Sequence, residues 1–499
     1  MILPFVRELF ADVENLPAFS RVATHLKSAT GRIRVSGLTP TAKSLISSLL
    51  PHALNRPVLL IVPDNKMAEA MLPQVQSFCE LSNSAAPDAV VYLPAYDVLP
   101  FENMSPHGEI QEARARALWK ITTGAARIVI APVTAALMKL QAAEFYFDSA
   151  QVFRRGETVD VDKIVAHLNT TGYTKTDVVE MPGEYALRGG ILDVYPPEAD
   201  RPLRVEFFGD EVESVRKFDP GTQRSSTEVD EVQLMALTDT PVREETLAAI
   251  NARLSASRVS GSEEDIEEAI LATGVAVFPG WELYAPVAGP GESLFNLVGN
   301  AAVLLSEPSA IKSELDHWWE RVNASHDRSG VGNLVRPEDL YFEPDAWWNR
   351  LGDLPAADLE QLGITSFEVE EVAFQSRPTQ RFHGSIPGVV EEVRKLMVEG
   401  QRVLFAAGST GEAERLAEVF TEYAVTFRLG ARSPRPGETY IDDAAYLAGE
   451  EVSTTIVKAF VPEGLVLPEA KLVIFGACDL FDEAEFAPTR TAQKKSKTS

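Results

Sequence analysis

Three apolar runs and one alternating stretch near the start of the chain decide what it can fold into. RIRVSGL (32–38), PVLLIVP (57–63), AVVYLP (89–94) and ARIVIAPV (126–133) all have strand length. TAKSLISSLLPHAL, KMAEAMLPQVQSFCE and IQEARARALWKITTG, which lie between them, have helical spacing. Strands that alternate with helices pair in parallel, and a near-continuous apolar strand must be covered on both faces. Residues 1–149 therefore predict an α/β domain built on a parallel sheet.

Bulk composition narrows the function classes. The 499 residues suggest roughly three or four domains at about 100–200 residues each. With 45% hydrophobic and 24% charged residues, the chain reads as soluble and globular. No apolar run approaches the roughly 20 residues of a membrane span, so no membrane partner is expected. The N-terminus MILPFVRELFADVENLPAF has neither a basic n-region nor a small-residue cleavage site, and reads as no signal peptide. Cys79 and Cys478 lie far apart beside apolar stretches, as buried thiols of a reducing, cytoplasmic protein do. A net charge of −27 repels phosphate backbones and favours a protein-binding module over a dedicated DNA-binding chain.

Further domains follow from changes of pattern. Residues 150–235 read as an inserted α+β domain: the helix DKIVAHLNTTGY, then GGILDVYPP, LRVEFFGDEVESVRKFD and EVQLMAL as antiparallel strands. Residues 236–348 return to helices (REETLAAINARLSAS, EEDIEEAILAT) and strands (VAVFP, AAVLLSEP), completing the first domain. Residues 349–370 read as a linker, 371–485 as a further small α/β domain, and 486–499 as a polar linker. No fixed short repeat is present.

The stretch SGLTPTAKS nearly spells the nucleotide-binding pattern G-x-x-x-x-G-K-[ST]. Gly37, Lys43 and Ser44 are in register, but Ala42 replaces the second glycine and Pro40 removes an N–H donor. Phosphates need those backbone donors, and hydrolysis needs an acidic Mg²⁺ ligand on a buried strand, which the early strands do not supply. On residues alone three readings stay open: an ordinary strand–turn–helix with a chance lysine, a worn nucleotide fold, and a working ATPase.

The insert carries a second oddity. In PLRVEFFGDEV, Gly209-Asp210 reads as a two-residue hairpin turn. Strand parity puts Leu203, Val205 and Phe207 on the core face, and Arg204, Glu206 and Phe208 on the other. An aromatic beside an arginine on a polar face has the composition of a binding hot spot, and Arg188 enters a neighbouring strand before Gly-Gly. The alternative is that Phe208 packs under a loop while both arginines pair with Glu184, Asp193 or Glu206.

EYALRGGILDVYPP, RVEFFGDEVESVRKFDPGTQRS, GLTPTAKS and LPAYDVLPFENMSPHGEI together resemble the N-terminal half of bacterial transcription-repair coupling factors, which is itself similar to the excision-repair protein UvrB. The resemblance covers residues 1 to about 345 strongly and the 371–485 unit by order and character. It implies a degenerate P-loop module, with an insert that binds UvrA through Arg188, Arg204 and Phe208. It also implies that the stretch from Tyr96 to Glu109 is too short for UvrB's DNA-gripping hairpin. RNA polymerase and DNA are implied as partners only through a C-terminal translocase part, which would also hold ATP and Mg²⁺. Without helicase motifs, the chain reads as truncated before that part: a monomeric, cofactor-free, non-catalytic adaptor for UvrA in transcription-coupled repair. The alternative is an ATP-dependent, damage-verifying enzyme of the UvrB type.

Overall fold

A computed structural model describes residues 2, 4–28, 30–255, 278–329, 334–362, 370–430 and 453–480. Its body is a seven-stranded, fully parallel sheet. The spatial order is Glu371–Ala373, Gly31–Ser36, Pro355–Leu359, Ala302–Ser306, Val58–Val62, Ile128–Pro132 and Val90–Tyr92. The expected α/β class is thus present, with the early apolar runs as its strands. Val58–Val62 shows why a central run of this kind is apolar throughout. Val58, Leu60 and Val62 enter one core with the N-terminal helices, while Leu59 and Ile61 enter a second core on the opposite face.

The linker expected over 349–370 is corrected. Pro355–Leu359 is a buried strand between Gly31–Ser36 and Ala302–Ser306, and Glu371–Ala373, assigned to the small domain, is an edge strand of the same sheet. PAADL is short and alanine-rich, so its own propensity is weak. Two parallel neighbours stabilise it, and its buried Asp358 accepts two bonds from Arg32, at 3.0 and 2.8 Å.

The small domain is a five-stranded sheet in the order Arg428–Leu429, Thr454–Lys458, Arg402–Ala407, Leu472–Phe475 and Leu465–Leu467, parallel except for the last pair. Val403, Phe405 and Ala407 pack toward the helices Ile386–Val398 and Thr410–Glu422, whereas Leu404 and Ala406 join the core of the body. The small domain therefore shares apolar packing with the body. EEDIEEAILAT, YLAG, most of VAVFP and the 486–499 tail lie outside the described residues. Cys79 is buried, which pushes its thiol up to about 11, but Cys478 is only half-buried, contrary to expectation.

The insert rises from an antiparallel stem, Ala150–Arg154 paired with Glu231–Met235. A buried cluster fixes the stem to the body. Arg114, on the helix Gly108–Thr122, donates to Asp239 at 2.6 Å and to the Pro94 carbonyl at 2.7 Å. The Tyr96 hydroxyl lies 2.9 and 2.8 Å from the two Asp239 oxygens, and the Arg114 guanidinium stacks 4.1 Å over the Tyr96 ring. Arg116 reaches Glu198 of the insert at 3.0 Å, beside a cleft of about 390 Å³ between insert and body.

Candidate UvrA-binding face and degenerate nucleotide loop

The insert sheet runs Ser225–Glu228, Glu211–Phe218, Leu203–Phe208, Ile191–Val194, Glu184–Arg188 and Thr174–Lys175. All pairs are antiparallel except the last, which is parallel. On the inner face Tyr185, Leu192, Leu203 and Val205 pack against Ile164 and Leu168 of the helix Val161–Thr170. Asp160 caps that helix by accepting from the N–H groups of Asp162 and Lys163.

Register places the residues singled out by sequence together on the outer face. Arg188 lies opposite Ile191, Ile191 opposite Glu206, and Asp193 opposite Arg204. Residues directly opposite share a face, so Arg188, Ile191, Arg204, Glu206 and Phe208 all point outward. Two tight turns, Gly189-Gly190 and Gly209-Asp210, bring Arg188, Ile191 and Phe208 to one end of the sheet. Gly190 is required there, because a Cβ would lie 2.9 Å from the Phe207 carbonyl oxygen.

The trio differs sharply in its surroundings. Phe208 is 79% exposed and does not pack under a loop. Arg188 is exposed, and its side chain has no hydrogen-bond or ion-pair partner among the described residues. Arg204 instead follows the structural alternative. It donates to both oxygens of buried Asp193 at 2.7 and 2.9 Å and to the Gln223 carbonyl at 3.2 Å, and it lies 4.7 Å over the Phe218 ring. The hydrogen bonds it donates to Asp193 hold its guanidinium above the usual range. Arg216, opposite Arg204, is held loosely by Glu206 at 3.8 Å and Glu228 at 3.6 Å. Sequence reasoning missed Ile191 as an exposed apolar neighbour; its shared parity with Asp193, opposite to Leu192 and Val194, was the signal that could have found it.

At the near P-loop, protein groups occupy what a phosphate would use. The Thr39 N–H donates to Ser376 Oγ at 2.7 Å, and Ser376 Oγ donates on to the Gly37 carbonyl at 2.8 Å. The Ala42 N–H donates to Thr39 Oγ1 at 3.3 Å, and the Leu38 N–H donates to the Glu360 carbonyl at 3.1 Å. Thr41 Oγ1 donates to the Glu463 carbonyl at 2.7 Å, and Ser44 Oγ points back to the Pro40 carbonyl at 3.4 Å. Buried Lys43 forms an ion pair with Glu307, at the C-terminal end of Ala302–Ser306. Gly37, at φ +73°, is pressed by the Phe374 carbonyl, which would sit 1.9 Å from a Cβ. Glu307 lies 264 residues from Lys43, and nothing in the sequence pairs them. Among the described residues no His, Cys, Asp or Glu cluster is placed to hold a metal ion, and no helix is long and apolar enough to cross a membrane.

Comparison with known proteins agrees with the resemblance. The family described as UvrB interaction domain matches residues 152–239. The transcription-repair-coupling factor of Escherichia coli (strain K12) is 25% identical over 420 residues, 82% of this chain and 36% of that protein. That of Myxococcus xanthus is 24% identical over 503 residues, covering 96% of this chain and 41% of the relative. That of Mycobacterium bovis is 26% identical over 475 residues, 88% and 36% respectively. The chain thus spans about two-fifths of the length of these relatives. With its UvrB interaction domain and a match that covers most of its residues, the chain is similar to the N-terminal region of transcription-repair coupling factors.

Proposed function

We propose that this chain is a UvrA-recruiting adaptor of transcription-coupled nucleotide-excision repair, docking through the outer face of its insert. The observation that carries the reading is Phe208: a phenylalanine 79% exposed beside a tight turn, on the face that also presents Arg188, within the matched interaction domain. Burying most of such a side chain contributes about 1.5–3 kcal/mol, so leaving it in water is explained by a partner that covers it. Arg188 is available for a carboxylate of that partner, while Arg204 holds two strands of the face together.

The adaptor acts without catalysis of its own. Lys43 is paired with Glu307, and the loop N–H groups of Leu38, Thr39 and Ala42 are bonded within the protein, which supports a loop that no longer holds nucleotide. RNA polymerase engagement and ATP-driven translocation belong, on this reading, to regions of the relatives that this chain does not span. The test is binding of purified UvrA to this chain and to the Arg188→Ala/Arg204→Ala/Phe208→Ala variant. Binding lost in the variant supports the face, and undiminished binding excludes it.

A further inference from the structure

The outer face of the insert is not uniform. Toward Phe218, Val179 and Tyr195 pack over the sheet with Ala186, and Arg204 lies at the border of that cover. Toward the two turns the face is open. There Ile191 is 39% exposed and Phe208 is 79% exposed. Ile191 lies opposite Glu206, two residues along the strand from Phe208, so the two side chains are diagonal neighbours. Diagonal neighbours on one face lie about 7–8 Å apart, within reach of an aromatic ring. On its other side Ile191 lies opposite Arg188, whose side chain is unpartnered among the described residues.

We propose that Ile191 and Phe208 form one apolar anchor with Arg188 as its adjoining cation, and that the partner fills it with an apolar side chain flanked by a carboxylate. This rests on the reading that the face binds UvrA, and assigns Ile191 a contact that the trio Arg188, Arg204 and Phe208 lacks. Charge supports the choice of occupant. On a chain of net charge −27, Arg188 is an exposed cation at the open end of the face with no internal carboxylate partner among the described residues. It favours an acidic partner group and steers its approach. An apolar pair beside that cation supplies the desolvated centre that a hot spot needs.

The experiment measures the affinity of purified UvrA for the full chain and for Ile191→Ala, Ile191→Glu, Ile191→Leu, Phe208→Ala and Arg188→Ala. Ile191 is on the open face, so these substitutions leave the core intact; circular dichroism and melting temperature verify this. The expected result is a rise in Kd of about tenfold for Ile191→Ala, more for Ile191→Glu, and near-native binding for Ile191→Leu. Arg188→Ala should also flatten the dependence of binding on salt. If Phe208→Ala loses binding while Ile191→Ala and Ile191→Glu bind like the native chain, the anchor is overturned and UvrA recruitment stands. If the native chain does not bind UvrA, both readings are overturned.

Discussion

The loop at 37–44 and the hairpin end at 188–211 are built from similar parts: glycine turns, a basic residue and the end of a strand. Their surroundings are opposite. Around the loop, Glu307, Ser376 and the Glu360 and Glu463 carbonyls take up the donors. At the hairpin end Phe208 and Arg188 face water. Both stretches look functional as strings of letters. A group whose partners are internal contributes to stability, and one left exposed at energetic disadvantage contributes to binding.

Substitutions should therefore separate the two regions by readout. The largest effect expected is on UvrA affinity. The triple variant of Arg188, Arg204 and Phe208 to alanine should lose about 3 kcal/mol or more, roughly a hundredfold in Kd by calorimetry. Glu307→Ala should act in the other region. It leaves the Lys43 charge buried and unpaired, lowering unfolding free energy by about 2–3 kcal/mol in urea titration, with UvrA affinity unchanged. That is below the full range for buried pairs because Glu307 keeps 37% of its side chain exposed. Equal losses of UvrA binding in Glu307→Ala and the triple variant would break the division.

Arg204→Ala sits across the division and should register in both assays. It removes the bidentate partner of buried Asp193, and about 1–3 kcal/mol of stability should go with it. Phe208→Ala, by contrast, should shift stability by no more than about 0.5 kcal/mol. The smallest effect is the most diagnostic for the loop. Millimolar ATP with Mg²⁺ should leave the melting temperature unchanged, because a ligand stabilises only a state that binds it. A rise abolished by Lys43→Ala would reopen the nucleotide reading.

Much of this was legible in the sequence for physical reasons. Val58–Val62 and Ile128–Pro132 are apolar on both faces, and parity along PLRVEFF separates Phe208 from the core. Arg204 was harder. Its commitment to Asp193 depends on strand register, and its stacking on Phe218 adds another strand, so one-strand parity left two readings equal. Pro355–Leu359 was missed because its strand character comes from its neighbours rather than its letters. Lys43–Glu307 was missed because the pairing exists only once the sheet is assembled. The Arg114–Asp239–Tyr96 cluster was invisible for the same reason.

The place of Pro355–Leu359 has a consequence for biosynthesis. Gly31–Ser36 and Val58–Val62 are consecutive in the chain but not adjacent in the sheet; Ala302–Ser306 and Pro355–Leu359 stand between them. As the chain leaves the ribosome, Val58–Val62 can pair on one edge with Ile128–Pro132, but its other edge waits for Ala302–Ser306, and Gly31–Ser36 waits for Pro355–Leu359. At about 5–20 residues per second, the roughly 300 intervening residues take about 15–60 seconds. Throughout that interval apolar strand edges stand open, the condition in which nascent chains pair wrongly or aggregate. The insert, whose strands all lie within residues 150–235, can close its own sheet during the wait.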